Sequence, residues 1–372
     1  MRILRIGYRL PPEPGGKERH IERLSREQIL RGHEVHVAHR RGRVPDGART
    51  VTPAPTRVSR ALTRRSDVLA FAAECAHALP RAGRMDVMHL HGDHREALVL
   101  GPAARRLGIP VVLTVHGALT ARHRLMMPLA FRYVDAFIAL GRRPAEDLLA
   151  AGVPAGKITT MSSGLDLGHL AGFRRQGPAE AGLIVSVGSL ERVKDHALTI
   201  RALRELRVTH PGARLVIVGD GTERARLERL AGAGSGVEFA GHLNADQVYS
   251  LVGRARAFVL SSRRLPTVGE GTPTAALEAL ALGTPVVVSS DASLDPAITD
   301  PGAYRTFRTG SAAELLRHLR SVLDDETAAL RMAERGRRAA SGLDWPLVAA
   351  RVEEVYEAFT NVRTPGLSRA AS

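Results

Sequence analysis

Glu270-Gly271-Thr272-Pro273-Thr274-Ala275-Ala276-Leu277-Glu278 is the segment whose residue types and spacing point most directly to chemistry. Thr272 is a natural N-cap and Pro273 suits a first helical position, so a helix is expected whose leading amides, at Thr274 and Ala275, lack acceptors. Such amides hold an anion. Glu278 falls one turn after Thr274 on the same helix face and can accept two hydrogen bonds from a vicinal diol such as that of a ribose. Glu270 precedes the helix on a loop, so the two carboxylates can reach different parts of one ligand. Either could be a solvated charge, but Glu278 stands in an Ala- and Leu-rich run that reads as buried, where a carboxylate needs partners.

Other segments carry weaker signals. Gly188-Ser189-Leu190-Glu191-Arg192-Val193-Lys194 follows an apolar run ending at Val187, and Asp195 is placed to cap a helix from His196 to Arg207. Lys194 then lies near a helix N-terminus, where the dipole disfavours a cation unless an anion is bound as well; the alternative is a solvated surface lysine. Gly15-Gly16 opens a helix with apolar positions Ile21, Leu24 and Ile29, and either brings backbone close to a ligand or makes an ordinary turn. His116 follows the run Val111-Val112-Leu113-Thr114-Val115, where an imidazole can hydrogen-bond a sugar hydroxyl or take a proton. His89, His91, Asp93 and His94 also follow an apolar run, but closed metal sites need three or four ligands in fixed geometry, and rim residues are the expectation. Val218-Gly219-Asp220-Gly221 and Phe239-Ala240-Gly241-His242-Leu243 each read as a strand and the turn after it. No Asp-x-Asp pair ends a strand, so no metal and no bound cofactor are expected.

These segments need elements to position them. Short Val-, Ile- and Leu-rich runs alternate with amphipathic stretches throughout, the pattern of parallel sheets with crossover helices, and the fold class is α/β. Strands are expected at Ile3 to Gly7, Glu34 to Ala38, Val87 to Leu90, Val111 to Val115 and Ala136 to Leu140. The plan repeats at Leu183 to Val187, Leu215 to Val218, Val237 to Phe239, Ala257 to Leu260 and Val286 to Ser289. Two doubly wound units follow, at 1–172 and 180–344, with a linker near 168–181 where Gly, Arg, Gln and Pro accumulate. A length of 372 residues suits two domains. In such sheets ligands sit beyond the carboxyl ends of the strands, where every segment above falls.

Composition narrows the class. With 44% hydrophobic and 24% charged residues the chain is neither disordered nor fibrous. A single cysteine, Cys75, cannot form an internal disulfide, and no leader pattern opens the sequence, which points to the cytosol, with a peripheral place at the inner face of the membrane as a variant. The charge is lopsided: residues 1–175 carry 29 basic and 15 acidic side chains, whereas the remainder carries 24 and 23. An anionic partner for the first half is the expectation. Arg57, Arg60, Arg64 and Arg65 are expected on one side of a helix that also carries Leu62, Val68, Leu69 and Phe71, a face that either rests on an anionic membrane or is simply solvated. Nucleic acid is disfavoured by the lack of aromatic platforms.

In this order along most of the chain, the motifs resemble the retaining glycosyltransferases of family 4, which have the GT-B architecture. The resemblance runs through Pro11-Pro12 with Gly15-Gly16-Lys17-Glu18, Arg31-Gly32-His33-Glu34-Val35, Thr114-Val115-His116-Gly117 and Ser163-Gly164-Leu165-Asp166. It continues through Val187-Gly188 to Lys194, Val218-Gly219-Asp220-Gly221, the pair Glu270 and Glu278, and Asp344-Trp345. It implies two Rossmann-like domains facing across a cleft, an acceptor-binding first domain, a nucleotide-binding second one, and a final helix, about 345–360, returning to the first. The implied activity is transfer of a hexose-type sugar from a UDP-, GDP- or other nucleotide diphosphate sugar to an acceptor hydroxyl, with retention, without an obligatory metal and with same-face attack. The acceptor would be a glycolipid, a polysaccharide intermediate or a secondary metabolite.

By the same resemblance Glu278 takes the ribose, Lys194 with the Thr274 and Ala275 amides beside Thr272 takes the diphosphate, and the Leu243 backbone takes the base. Glu270 and His116 contact the donor sugar, and Gly16 approaches the diphosphate. The family usually has Arg where this chain has Ser189, with Arg192 the candidate substitute, and Asn where this chain has Ser163. The competing readings are another GT-B enzyme, an epimerase or a phosphorylase, and a non-catalytic binder of anionic surfaces or nucleic acid.

Overall fold

The computed structural model describes residues 1–13, 15–119, 126–265, 269 and 271–360. The chain divides into two compact units, the first formed by residues 1–164 and the chain from Trp345 onward, the second by Leu165–Asp344. The division falls ahead of the Gly- and Pro-rich stretch at 168–181. Leu165 is already held in the second unit, its amide donating to the Leu343 carbonyl at 2.7 Å, and a short helix, Leu167–Ala171, follows.

The first unit is a parallel sheet of β1 (Arg2–Ile6), β2 (Glu34–Ala38), β3 (Arg49–Val51), β4 (Val87–His91), β5 (Val111–Val115), β6 (Ala136–Leu140) and β7 (Ile158–Met161). Its spatial order is β3-β2-β1-β4-β5-β6-β7. The second contains β8 (Leu183–Val187), β9 (Arg214–Val218), β10 (Val237–Gly241), β11 (Ala257–Leu260), β12 (Val286–Ser289) and β13 (Arg305–Phe307). Its order is β10-β9-β8-β11-β12-β13, again parallel. In both sheets the first strand is central and the winding reverses beside it, between β1 and β4 and between β8 and β11. These switch points are where doubly wound sheets open a crevice for ligands.

Alternation of side chains across each strand supplies the layers. In the first unit Leu4, Ile6, Met88, Leu90 and Leu113 face a core with Phe71, Leu100 and Phe131. Their neighbours Ile3, Val35, Val87 and Val112 face Ile21, Leu24 and the last helix, Trp345–Glu357, through Trp345, Val348, Val352 and Tyr356. In the second, Val185, Val218, Phe258 and Leu260 pack on Leu277 and Leu280, while Ile184, Leu215, Ile217 and Val259 pack on Leu198, Leu203 and Leu315. Burial on both faces explains why the central strands read as continuous apolar runs.

Two expectations need correction. The edge strands β3, β7 and β13 carry polar, partly exposed residues, because a strand with one neighbour needs no continuous apolar face. The arginine stretch is not one helix. Thr56 and Ser59 cap a helix at Arg57–Thr63, Ser66 caps a second at Asp67–Ala78, and Arg64 and Arg65 fall in the turn between them. Among the described residues no helix is long and apolar enough to cross a membrane.

Candidate functional site: two switch points

In the second unit the turns after β8 and β9 pack backbone on backbone. A Cβ on Gly219, whose φ is +134°, would lie 2.1 Å from the Gly188 carbonyl oxygen, and one on Gly221 would lie 2.6 Å from that of Leu190. The Leu190 amide donates to the Asp220 carbonyl at 2.9 Å. Both glycines of Val218-Gly219-Asp220-Gly221 are thus required by the neighbouring loop. Gly188 makes room for a side chain instead: its missing Cβ would stand 3.2 Å from Cδ and Cε of Lys194, whose stem lies across it.

Lys194 closes a 3-10 turn, Arg192–Lys194. Asp195 follows with φ 42°, a left-handed conformation unusual for a residue other than glycine. It makes no side-chain cap to the helix His196–Thr209, contrary to expectation, because that backbone conformation leaves the side chain no cap bond. The turn is held from the end of β11. Ser261 Oγ donates to the carbonyls of Lys194 and Asp195 at 3.0 and 2.9 Å, and the Arg263 amide donates to the Val193 carbonyl at 2.7 Å. The strands on either side of the switch point are therefore tied at the residue that carries the ammonium. Arg192 is different: its side chain is 73% exposed and reaches Glu223 at 3.6 Å.

The helix after β11 runs Thr274–Leu282 with Pro273, not Thr272, as its N-cap. Pro273 has φ −77° and ψ 73°, the centre of an inverse γ-turn, and the Thr274 amide donates to the Thr272 carbonyl at 2.9 Å. Thr274 therefore does not offer a free amide. Ala276 and Leu277 donate to the Pro273 carbonyl, which leaves Ala275 as the first-turn amide without an acceptor among the described residues. The Thr272 hydroxyl is buried and unbonded among them. Glu278 is half-buried and accepts from the Tyr249 hydroxyl at 2.9 Å. Tyr249 stands on the helix Ala245–Arg254, whose cap Asn244 exchanges bonds with Gln247. Leu243, just ahead of it, packs half-buried on the core of this unit. Sequence reasoning missed Tyr249. Glu270 lies outside the described residues.

In the first unit Gly15 precedes the helix Gly16–Leu30 with φ +154°. A Cβ there would stand 2.0 Å from a carboxylate oxygen of Glu18, whereas one on Gly16 would meet nothing within 4 Å. Lys17, Glu18, Gly92, Glu96, His116 and Leu119 line a cavity of about 360 Å3. Asp93 caps the helix His94–Arg106 in a reciprocal box with Glu96 and pairs with Arg95 at 2.7 Å. Burial, then the Asp93 charge, pushes the Glu96 carboxyl up to about 7. Among the described residues no three His, Cys, Asp or Glu are placed to hold a metal.

Behind the cavity stands a column of histidines. His20 and His116 have ring centroids 5.0 Å apart, His91 Nδ1 lies 3.0 Å from His116 Nε2, and His89 lies 4.1 Å from His91 between ring centroids. His89 bonds the Tyr356 hydroxyl through Nδ1 at 2.5 Å and Thr114 Oγ1 through Nε2 at 2.6 Å. His20 Nδ1 meets Ser163 Oγ at 2.9 Å. Beneath them Arg5, fully buried, bonds Ser25, Gln28 and Tyr356. Burial, reinforced by the Arg5 charge, drives His20 down to about 3 and holds His89 and His91 well below the ordinary histidine range. An arginine inside a strand that otherwise reads as core is the sequence signal that could have found this network.

Among solved structures, HepE of Anabaena in complex with UDP-glucose shares 20% identity at a TM-score of 0.74, over 96% of this chain and 100% of that one. The fold is that of the GT-B proteins. The model of glycosyltransferase family 4 matches residues 14–169 and that of glycosyl transferases group 1 matches residues 173–339. A glycogen synthase of Mycobacterium tuberculosis (strain ATCC 25618 / H37Rv) is 32% identical over 407 residues, 96% of this chain and 94% of that protein. A phosphatidyl-myo-inositol mannosyltransferase of Propionibacterium freudenreichii is 29% identical over 74% of this chain and 70% of that one. The chain belongs to the group 1 glycosyltransferases.

Proposed function

We propose that this glycosyltransferase moves a hexose from a nucleotide diphosphate sugar to an acceptor hydroxyl with retention of anomeric configuration. The observation that carries the reading is the tie at the second switch point. Lys194 lies over Gly188 at the end of β8, pinned by Ser261 at the end of β11, and the helix carrying the Ala275 amide and Glu278 follows the same strand. A cation and an amide without an acceptor among the described residues suit a diphosphate; a carboxylate one turn on suits a ribose diol. The UDP-glucose bound by HepE and the name of the mycobacterial relative, glycogen synthase, support a nucleotide-activated glucose as the first donor to try.

In this scheme the bond from the anomeric carbon to the diphosphate breaks, and the leaving diphosphate gains negative charge. Lys194 and the Ala275 amide stabilise that charge from fixed positions. The acceptor hydroxyl attacks on the face the diphosphate leaves, and its proton passes to a phosphate oxygen. Leu243 offers its main chain to the base and Thr272 its buried hydroxyl to the phosphates, while Gly16, with no atom near its missing Cβ, leaves its backbone open to a diphosphate. His116 and Glu270 contact the donor sugar. The scheme asks for no divalent cation, so EDTA should leave the rate unchanged. The exposed arginines from Arg57 to Arg65 are proposed to attract an anionic acceptor or membrane surface.

A thermal-shift panel of UDP-glucose, ADP-glucose and GDP-mannose tests the donor. Binding at 100-fold excess over Kd adds about 2.7 kcal/mol to stability. Glu278→Ala should weaken that binding, whereas Glu270→Ala should chiefly lower turnover; unchanged affinity and rate in both variants would refute the site.

A further inference from the structure

The contact between His91 and His116 fixes more than a position. Their Nδ1 and Nε2 atoms are 3.0 Å apart, and one of two neutral rings must donate. His91 Nε2 is buried and without a partner among the described residues. If His116 donated, the His91 proton would sit on Nε2 as an orphaned buried N–H, which native structures avoid more strictly than an unsatisfied acceptor. If His91 donates, the orphan atom is only a lone pair. The second arrangement places the His91 proton on Nδ1, requires a lone pair on His116 Nε2, and leaves the His116 proton on Nδ1.

We propose that His91 is a positioning residue that locks His116 in its Nδ1–H tautomer, so that His116 meets a ligand in the adjoining cavity as a hydrogen-bond donor and not as a base. His116 lines that cavity, and its Nδ1 has no partner among the described residues. The charged and titratable groups facing it are His20 and Lys17 from the first helix and His89 and His91 from β4. Burial first, then His20, Lys17 and His89, hold its imidazole well below the ordinary range, which keeps it neutral. A neutral donor suits a sugar hydroxyl oxygen and cannot take the acceptor proton. That agrees with passing the proton to the leaving phosphate. The inference rests on the proposed contact between His116 and the donor sugar for its effect on rate, but the tautomer can be read without any substrate.

The test is a long-range 1H–15N spectrum of the full chain labelled at histidine, with His116 assigned by its loss in His116→Gln. The wild type should show the His116 proton on Nδ1, unchanged between pH 8 and 6. His91→Leu should release the tautomer, and His91→Asn, which puts an amide N–H where Nδ1–H stood, should retain it. Turnover is followed as nucleoside diphosphate released from the sugar nucleotide that most raises Tm. His91→Leu should lower kcat about tenfold, the weight of roughly one hydrogen bond, with the donor KM little changed, and His91→Asn should recover most of the loss. A wild-type proton on Nε2, or an unchanged tautomer in His91→Leu, overturns the lock. A released tautomer with unchanged kcat overturns its role in turnover; if His116→Gln is then also silent, the placement of His116 at the donor sugar fails with it.

Discussion

The two switch points share one topology and handle charge in opposite ways. Beside β8 and β11 the candidate site is made of backbone, glycines packed against neighbouring carbonyls, with the Lys194 ammonium and the Ala275 amide, which has no acceptor among the described residues. Beside β1 and β4 it is made of side chains, with neutral imidazoles stacked over a buried guanidinium. The contrast shows where in the first unit the charge lies. The first 175 residues hold nearly all of the excess positive charge, yet the histidines at their switch point are held uncharged, and the excess lies on exposed arginines such as Arg57, Arg60 and Arg64. The cavity itself is lined by charges of both signs, Arg9, Lys17 and Arg95 against Glu18, Asp93 and Glu96, so the net charge describes the surface of this unit and not its crevice. A cation at a fixed point suits a phosphate; neutral donors and acceptors suit hydroxyl groups.

The contrast can be broken most sharply at Lys194. Lys194→Ala should lower kcat by about 10²–10³, the scale for removing a fixed donor from a site of developing charge; a loss under threefold in steady-state kinetics would remove the cation from the second switch point. Acid should separate the units next. His20, at about 3 in the fold against 6.5 unfolded, binds fewer protons folded than unfolded between those values, so its contribution is complete above pH 6.5 and is lost as pH falls toward 3. His89, His91 and His116 act in the same direction, each by up to about 1.4 kcal/mol per pH unit. In the second unit His196, at about 4, is the one buried histidine among the described residues. Hydrogen exchange should therefore show β4 and β5 losing protection at a higher pH than β8 and β11, and simultaneous loss would contradict the contrast.

Glu96 sharpens it from the alkaline side. Its folded value near 7 stands above the ordinary 4.5, so the fold binds the extra proton, and stability falls as pH rises through 4.5 to 7. Glu96→Gln should raise the unfolding free energy by about 1–3 kcal/mol at pH 8 and by little at pH 4, measured by urea titration at both pH values. Smallest is Tyr249→Phe, which removes one hydrogen bond to Glu278. Nucleotide affinity by calorimetry should change about fivefold, close to 1 kcal/mol.

The ten strands expected from the sequence all form: nine are central, and strands buried on both faces must be apolar, while the tenth, β10, lies at an edge and was legible through Val237 and Phe239, which pack on the core. The edge strands β3 and β7 escaped because Arg49-Thr50-Val51 and Ile158-Thr159-Thr160-Met161 have one neighbour each and no reason to look like core. At the second switch point Lys194 and Glu278 were legible because loop chemistry there is local. The helix start was misplaced by one residue because N-cap preference describes side chains, whereas Pro273 set the start through its ψ. The histidine column was not legible: Tyr356 meets His89 across 267 positions of chain, and no spacing rule connects a tyrosine in the last helix to a strand so far upstream.

That distance bears on how the protein is made. The last helix completes the first unit, its Tyr356 bonding His89 and its Glu353 bonding Arg31 at 2.9 Å, but the ribosome delivers all of Leu165–Asp344 in between. At roughly 5–20 residues per second, the nascent first sheet waits on the order of ten to forty seconds with the helix-facing side of Ile3, Val87 and Val112 uncovered. The inserted unit can fold at once, while the unit begun first is finished last. A chaperone-dependent yield, relieved by circular permutation that joins the last helix ahead of β1, is the behaviour such an order of synthesis produces.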